Sequence, residues 1–289
     1  MELWIILISA SALFGAVGLL FKKRALKNEH TSEYLTAFKL LELLLILIFA
    51  PFIIFKIPLV VAAFIFLISL TTSVALIYIS RSYRHTDLSV VAPLSNLTPL
   101  FIVMLAFFLL GEHVTSKQLM GIGLLLFGTY YLESEHHSGH WLSPITKLFH
   151  TKNIGFLFFG FFLSAVIGIG EKFILDVVSP FTLIFYHYCF QTFCFLMITL
   201  FFYGGFRDVF LAYKTSGKWI LGNAFFANLS NLSYFIAISM TFISLATPVK
   251  KLSALFAVVF SGRFFKEKRI FHKAFACCIM LVGVFVIAI

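Results

Sequence analysis

Charged side chains are scarce in this sequence, and their scarcity excludes a soluble protein. Only 12% of the 289 residues are Asp, Glu, Lys or Arg, while 61% are hydrophobic. A globular domain carries roughly a quarter charged residues and about half apolar ones, so a soluble fold of this length has no interior large enough for the excess. The mean hydropathy of +1.03 therefore predicts an integral membrane protein with several spans.

Residues that would build an enzyme or a metal centre are also few. We find no glycine-rich phosphate loop and no grouping of Ser, His and Asp, so the sequence predicts neither an enzyme nor an ATP-driven protein, and it indicates no cofactor. The four cysteines all fall in apolar runs, where thiols behave as small apolar groups rather than as a disulfide framework: Cys189, Cys194, Cys277 and Cys278. One loop is rich in histidine but matches no metal-ligand spacing, so we predict no metal site: His136, His137, His140 and His150.

Long apolar runs dominate what the sequence does contain. A helix needs about 20 apolar residues to cross the hydrocarbon layer, and residues 3–21, 57–80 and 88–111 contain no charged residue. Shorter or split runs occupy residues 35–55, 118–132, 154–178, 181–203, 219–240, 244–265 and 270–289. We therefore predict an all-α integral membrane fold with ten transmembrane helices. The thin run at 118–132 and the unbroken stretch 219–249 leave nine or eleven open.

The two halves of the chain resemble each other. At a constant offset of 155, residues 88–128 align with 243–283 without a gap, and the matches include Pro93 with Pro248, Glu112 with Glu267, and Gly128 with Gly283. An offset of 150 places Lys22 over Lys172. We predict a first five-helix repeat over 1–132, a linker over 133–152 and a second five-helix repeat over 153–289. An odd number of helices in each repeat inverts the second relative to the first.

Basic residues in the loops predict the orientation. The loops after the odd-numbered spans hold most of the Lys and Arg, including Lys22, Lys23 and Arg24 after the first and Arg207, Lys214 and Lys218 after the seventh. The positive-inside rule then places these loops in the cytoplasm and both termini outside. The net charge of +10 is explained by topology, so we predict no nucleic-acid partner.

One recurring motif resembles a known family. The stretch SVVAPLSNLTPLF, followed by Gly111 and Glu112, resembles the EamA-like branch of the drug/metabolite transporter superfamily. A weaker copy, SLATPVKKLSALF, precedes Lys266 and Glu267. The resemblance covers nearly the whole chain. It implies ten helices, an inverted repeat and movement of small metabolites through a central cavity, and it also implies cytoplasmic termini, against the loop charges.

Two adjacent lysines inside an apolar run need a partner. Lys250 and Lys251 lie roughly 10 Å below the sparsely charged face, and Lys172 lies about 9 Å below it, at a helical rise of about 1.5 Å per residue. They resemble the sixth- and ninth-helix basic residues with which phosphate-ester antiporters and nucleotide-sugar transporters hold a phosphate. Burial of a lysine near a helix centre costs about 2.5 to 3.5 kcal/mol. An anion site would offset that cost, whereas snorkelling to the headgroups is the structural alternative.

Other polar side chains are predicted at similar depths. We expect the substrate to contact Tyr186, His187, Gln191, Asn228, Asn231 and Tyr234 beside the three lysines, and Asn96 from the first repeat. Glu42 and Glu171 are our candidates for coupling to an ion gradient. Glu42 lies three residues after Lys39, a spacing that favours an ion pair on one helix face. Glu112 and Glu267 end their helices, where we expect structural contacts.

These observations predict a secondary active transporter of a small organic anion, a phosphate ester or similar molecule, that works by alternating access in the plasma (inner) membrane. Its partners would be a small-molecule substrate and the lipid bilayer. Two alternatives stay open: an exporter of amino acids or other small metabolites and drugs, and a non-transporting scaffold or partner of lipid-linked intermediates. The sequence leaves substrate identity, direction and oligomeric state open.

Overall fold

The computed structural model describes residues 3–26, 29, 31–85, 97–134, 154–202, 206–253, 255–256 and 270–288, and within these ranges regular structure is entirely helical. The helices are α1 Leu3–Leu26, α2 Thr31–Ile46, α3 Leu59–His85, α4 Leu97–Leu105, α5 Ser116–Ser134, α6 Ile154–Leu175, α7 Pro180–Phe202, α8 Phe206–Met240, α9 Ile243–Lys250 and α10 Ile270–Ala288. The prediction of an all-α membrane protein is confirmed.

Several helices are long and apolar enough to cross a bilayer. Among the described residues, five segments meet both conditions: Leu3–Leu26, Glu33–Phe52, Leu59–Ile77, Phe158–Leu175 and Pro180–Phe201. Two shorter apolar helical stretches, Leu97–Leu110 and Cys278–Ile287, accompany them. The outward surface is apolar as well, with Leu59 84% exposed and Phe201 77% exposed. Such a surface is expected where the surrounding solvent is lipid.

Two helices change geometry near their ends. Helix α2 tightens into a 3₁₀ segment, Leu47–Phe52, which contains Pro51. Helix α4 ends in a single π-helical stretch, Ala106–Leu110, closed by Gly111 at a φ of +65°. A left-handed backbone suits glycine because it has no Cβ to clash. The chain leaves α4 there with Glu112 pointing back into the protein.

Helix α8 corrects one prediction. Arg207, Lys214 and Lys218 were expected in a loop, but they lie on α8, which has 35 residues and spans about 52 Å at about 1.5 Å per residue. One side of the first part of α8 is buried, with Val209 3% and Ala212 0% exposed. The three basic side chains are exposed. The segment therefore resembles a loop in its composition, but the spacing of its apolar residues is that of a helix with one buried side.

Helix pairing follows a symmetric scheme. Helix α1 packs most extensively against α8, and α6, which holds the same place in the second half, packs against α3. Helices α2 and α7 pack together, as do α5 and α10. Contacts of α1 with α9 are matched by contacts of α6 with α4. If helices α1–α5 are exchanged with helices α6–α10, each of these pairings therefore becomes either itself or another pairing in the same scheme.

Single residues at the α5–α10 crossing show the same relation between the two halves. A Cβ on Gly128 would lie 2.7 Å from Met280 Cγ and 3.2 Å from the Ala276 carbonyl oxygen. A Cβ on Gly283 would lie 2.9 Å from the Gly121 carbonyl oxygen and 2.9 Å from the Leu125 nitrogen. Gly121 and Leu125 precede Ala276 and Met280 by 155 positions. The sequence offset is thus reproduced by the packing.

Candidate functional site

A buried ion pair lies in the middle of α2. Lys39 Nζ is 2.6 Å from Glu42 Oε2, and the two residues are only 7% and 1% exposed. This confirms the ion pair predicted from their spacing. A buried pair stabilises only when further polar groups compensate for lost hydration. Tyr188 of α7 supplies one of them, with its ring 5.3 Å from Lys39 Nζ and its hydroxyl close to Glu42.

Two amide side chains of α8 lie next to this pair. Asn231 Nδ2 donates to the Tyr188 hydroxyl at 2.9 Å. One turn away, Asn228 Nδ2 donates to the backbone carbonyls of Glu42 and Ala224 at 3.3 and 3.0 Å. Because both partners are acceptors, the amide nitrogen of Asn228 must face them, and its oxygen faces the other way.

Two buried carbonyl oxygens at this level have no hydrogen-bond donor among the residues that the structure describes. They are Asn228 Oδ1 and Gln191 Oε1, in residues 6% and 1% exposed. A buried acceptor without a partner costs about 1 to 3 kcal/mol, so each is a place where a ligand donor would be favourable. We call Lys39, Glu42, Tyr188, Gln191, Asn228 and Asn231 the central layer.

A second group of ionisable side chains adjoins the central layer. Glu171 of α6 is 9% exposed, and its Oε1 lies 4.0 Å from His187 Nε2. The other imidazole nitrogen, Nδ1, is 3.2 Å from Ser69 Oγ of α3. Ser69 in turn donates to the Ile65 carbonyl at 2.8 Å, so it accepts from the His187 ring. His187 Nδ1 therefore carries a proton, and Nε2 faces Glu171.

Lys250 completes this group from α9. Its Nζ lies 3.7 Å from the centroid of the Tyr234 ring, a cation–π contact. The charges of Lys250 and Glu171 interact, as do those of Lys250 and Lys251. The Tyr234 hydroxyl is 3.4 Å from Thr247 Oγ1. We call Glu171, His187, Tyr234, Lys250 and Lys251 the Lys250 cluster.

Two residues predicted to contact the substrate, Lys172 and Tyr186, bind backbone carbonyls in the structure. Lys172 Nζ donates to the carbonyl oxygens of Ile238 and Thr241 at 2.5 and 3.1 Å, which caps the end of α8. A cation there also complements the helix dipole. Tyr186 donates to the Phe55 carbonyl at 2.7 Å. A substrate role for either residue stays a prediction, and Asn96 lies outside the described residues.

Glu112 has a structural contact, as expected. Its carboxylate accepts hydrogen bonds from the backbone nitrogens of Ile243 and Ser244 at 2.9 and 3.1 Å, and from the Ser244 hydroxyl. An anion at these free N–H groups stabilises the first turn of α9. Helix α9 contains Pro248 and ends at Lys250, and the Lys251 nitrogen donates to the Pro248 carbonyl at 3.0 Å. Glu267 lies outside the described residues.

Sequence reasoning missed some members of the site. Tyr188 lies one helical turn before Gln191, and that spacing is the signal that would have found it. Lys22 was predicted in the loop after the first span and aligned with Lys172, yet it lies on α1 and its charge interacts with those of Lys39 and Glu42. Within the described ranges, no three His, Cys, Asp or Glu side chains come together as metal ligands. The histidine-rich loop lies outside them.

Comparisons with known proteins give one family match and a match of fold. A family model described as "EamA-like transporter family" matches residues 2–133 and again residues 151–289. No curated protein matches the chain. A crystal structure titled only "Crystal structure of protein" is similar over 98% of this chain and 95% of that one, with a TM-score of 0.74 and 12% identity. At that identity the likeness shows the fold alone.

Proposed function

The chain belongs to the EamA-like transporter family, and on that premise we propose that it is a secondary transporter of a small organic anion, such as a phosphate ester. The family indicates a membrane transporter of small molecules. The anionic substrate and the mechanism are our proposal, and they rest on the geometry of the two polar groups above.

An excess of positive charge in the buried polar region is the observation that carries the proposal. Among the described residues of this region, three ammonium groups, those of Lys22, Lys39 and Lys250, accompany two carboxylates, those of Glu42 and Glu171. Isolated charge in a low-dielectric interior is expensive. A bound anion would lower that cost, and Lys250 is the natural contact because its closest described partner is an aromatic ring rather than a carboxylate.

The unpartnered oxygens define a second requirement for the substrate. Tyr234, beside Lys250, and Asn228 are six residues apart on α8, which corresponds to about 9 Å along the helix. A ligand whose anionic group lies at Lys250 would reach Asn228 Oδ1 and Gln191 Oε1 with hydroxyl or amino donors at its other end. We therefore favour an anion that also carries donors, such as a sugar phosphate or a hydroxylated carboxylate.

Alternating access by two inverted repeats fits the helix pairing. The exchange of α1–α8 with α6–α3, and the self-matching α5–α10 crossing, support a pseudo-twofold relation between halves. With five helices in each half, that relation inverts one against the other. We propose that rocking of these halves exposes the central layer to each side in turn.

An amine or amino acid exporter is the second candidate. Glu42 offers a buried carboxylate in the central layer, and the two unpartnered oxygens would equally accept from an ammonium group. This candidate predicts that amines bind without any contribution from Lys250. The two candidates are therefore separable by one lysine substitution.

Ligand-induced stabilisation of the purified protein tests the proposal. Glycerol 3-phosphate, gluconate, neutral amino acids and amines are added to the parent, to Lys250→Ala and to Lys117→Ala, a matched control because Lys117 is exposed on α5. A ligand at 100 times its Kd stabilises the folded state by about 2.7 kcal/mol. We expect anions to raise the melting temperature of the parent and the control, but not of Lys250→Ala. Stabilisation by amines alone, equal in all three proteins, would favour the second candidate.

A further inference from the structure

We propose that the exposed face at the start of α8 binds the headgroups of anionic lipids. This face, which we call the α8 basic face, consists of Arg207, Phe210, Leu211, Lys214 and Lys218. It is separate from the central layer and from the Lys250 cluster, so it does not depend on what the protein transports.

The first part of α8 has two faces with different surroundings. Val209, Ala212 and Ser216 follow one another at helical spacing and are all buried. The five residues of the α8 basic face are all exposed, Phe210 at 73% and Leu211 at 55%. At about 100° of rotation per residue, these five fall within an arc of about 100° on the side opposite the buried residues. Basic and large apolar side chains therefore share one narrow exposed stripe.

Contacts on the buried side fix the direction in which this stripe faces. Ser216 Oγ donates to Glu29 Oε1 at 2.6 Å, and the Thr215 hydroxyl donates to the same oxygen. The Tyr213 hydroxyl donates to the Ala37 carbonyl at 2.7 Å. These bonds join the start of α8 to α2 and to the connection before it, so the α8 basic face is presented by an anchored helix.

The three basic side chains of this face form no ion pair within the described part of the chain. Asp208 is the one acidic residue between positions 206 and 219, and it follows Arg207 by a single position, which is about 100° around the helix. Arg24, at the end of α1, adds another exposed cation near this surface, with its guanidinium carbon 5.2 Å from the centroid of the Trp219 ring. The charge of the face is therefore complementary to an anionic partner.

The start of α8 lies beside an end of the bundle that is exposed and apolar. Val209 and Ala212 belong to the same buried cluster as Phe195 of α7. Phe195 lies two turns before the end of α7, where Phe201 is 77% and Leu200 44% exposed. Apolar side chains exposed in this way on a span face lipid tails. The α8 basic face is therefore at the edge of the hydrocarbon layer.

The composition of the face suits the headgroup layer better than water or hydrocarbon. Exposure of Phe210 and Leu211 to bulk water is unfavourable, and three cations inside the hydrocarbon layer would be more so. At the boundary, apolar side chains enter the acyl region while Lys and Arg reach the phosphates. Lipids with a net negative charge attract such a cluster more strongly than zwitterionic lipids do.

A second copy of this chain is a poorer occupant for the face. A twofold dimer places the same surface patch of each subunit against the other. Three cations would then face three cations, and like charges brought together repel. We therefore assign the α8 basic face to lipid.

Lipid competition tests this site. The full chain is equilibrated in neutral detergent micelles with equal amounts of phosphatidylglycerol and phosphatidylcholine of the same acyl chains, separated from free micelles, and its bound lipids are counted. The test variant combines Lys214→Gln with Lys218→Gln. The control combines Lys56→Gln with Lys117→Gln, which removes the same charge from two exposed lysines outside α8.

We expect the parent and the control to retain phosphatidylglycerol in preference to phosphatidylcholine. The preference should fall about fivefold for each lysine of the α8 basic face that is replaced. It should also shrink in the parent between about 0.1 and 1 M salt, because the screening length falls from about 10 to 3 Å. Arg207→Gln, at the other end of the same face, should lower the preference about fivefold by itself and serves as the second variant if the double variant does not fold.

Equal retention of the two lipids by the parent would overturn the assignment. So would a loss in the α8 variants no greater than the loss in the control. A change of protein mass in light scattering caused by these variants, with the lipid preference unchanged, would give the face to a second copy of the chain instead.

Discussion

The α5–α10 crossing offers the sharpest test of the fold, because two glycines of one helix face opposite surroundings. A Cβ on Gly121 would lie 2.8 Å from the Gly283 carbonyl oxygen, 2.8 Å from Ile287 Cγ1 and 3.0 Å from the Ile287 nitrogen. Two of these atoms belong to the backbone and cannot rotate away, so Gly121→Ala must push the helices apart. Gly123, two residues later, is exposed, and no atom of the described part of the chain lies within 4 Å of a Cβ built on it.

Comparing Gly121→Ala with Gly123→Ala cancels the effect of helix propensity. Both substitutions gain roughly 1 kcal/mol of helix propensity, whereas only Gly121→Ala pays for overpacking, which typically costs about 1 to 3 kcal/mol. We expect Gly121→Ala to be less stable than Gly123→Ala by about 1 to 3 kcal/mol. Unfolding in mixed detergent micelles, followed by tryptophan fluorescence, measures the difference. Equal stability of the two variants would refute the close glycine contact.

Two further predictions concern buried charges. Glu112→Ala removes the hydrogen-bond acceptor for the first turn of α9, and we expect it to lower the free energy of unfolding by about 1 to 3 kcal/mol. Glu33→Ala is the control. An unchanged unfolding midpoint of Glu112→Ala would exclude the capping role. Lys39→Met leaves Glu42 buried without its ion-pair partner, which typically costs about 3 to 5 kcal/mol. Adding Glu42→Leu should restore most of that loss, and a double variant no more stable than Lys39→Met would contradict the ion pair.

Local patterns in the sequence predicted much of the fold. The uncharged runs predicted α1 and α3, because lipid selects for apolar side chains along a whole span. The spacing of Lys39 and Glu42 predicted their ion pair, since residues three apart share a helix face. These features depend on neighbours along the chain, so one sequence is enough to find them.

Contacts between helices that are far apart in the sequence could not be predicted from such local patterns. Lys172 was predicted as a substrate ligand from its depth and from a family resemblance, and neither indicated that its ammonium reaches the carbonyls of Ile238 and Thr241. Tyr186 likewise reaches the Phe55 carbonyl, which no spacing in the sequence indicates. Depth limits which residues can meet, whereas the rotation of each helix decides which of them do.

The charges around α8 and α9 therefore fall into two groups with different kinds of partner. At the α8–α9 corner, Lys172 faces the carbonyls that end α8 and Glu112 faces the amides that begin α9, so each charge is satisfied by backbone groups of opposite polarity. Such contacts are complete without a ligand. Lys250 and Glu171 have no backbone groups of this kind among their described partners, and their charges depend on each other. An incoming anion can disturb only the second arrangement, and this difference is why we place the substrate at Lys250 rather than at Lys172.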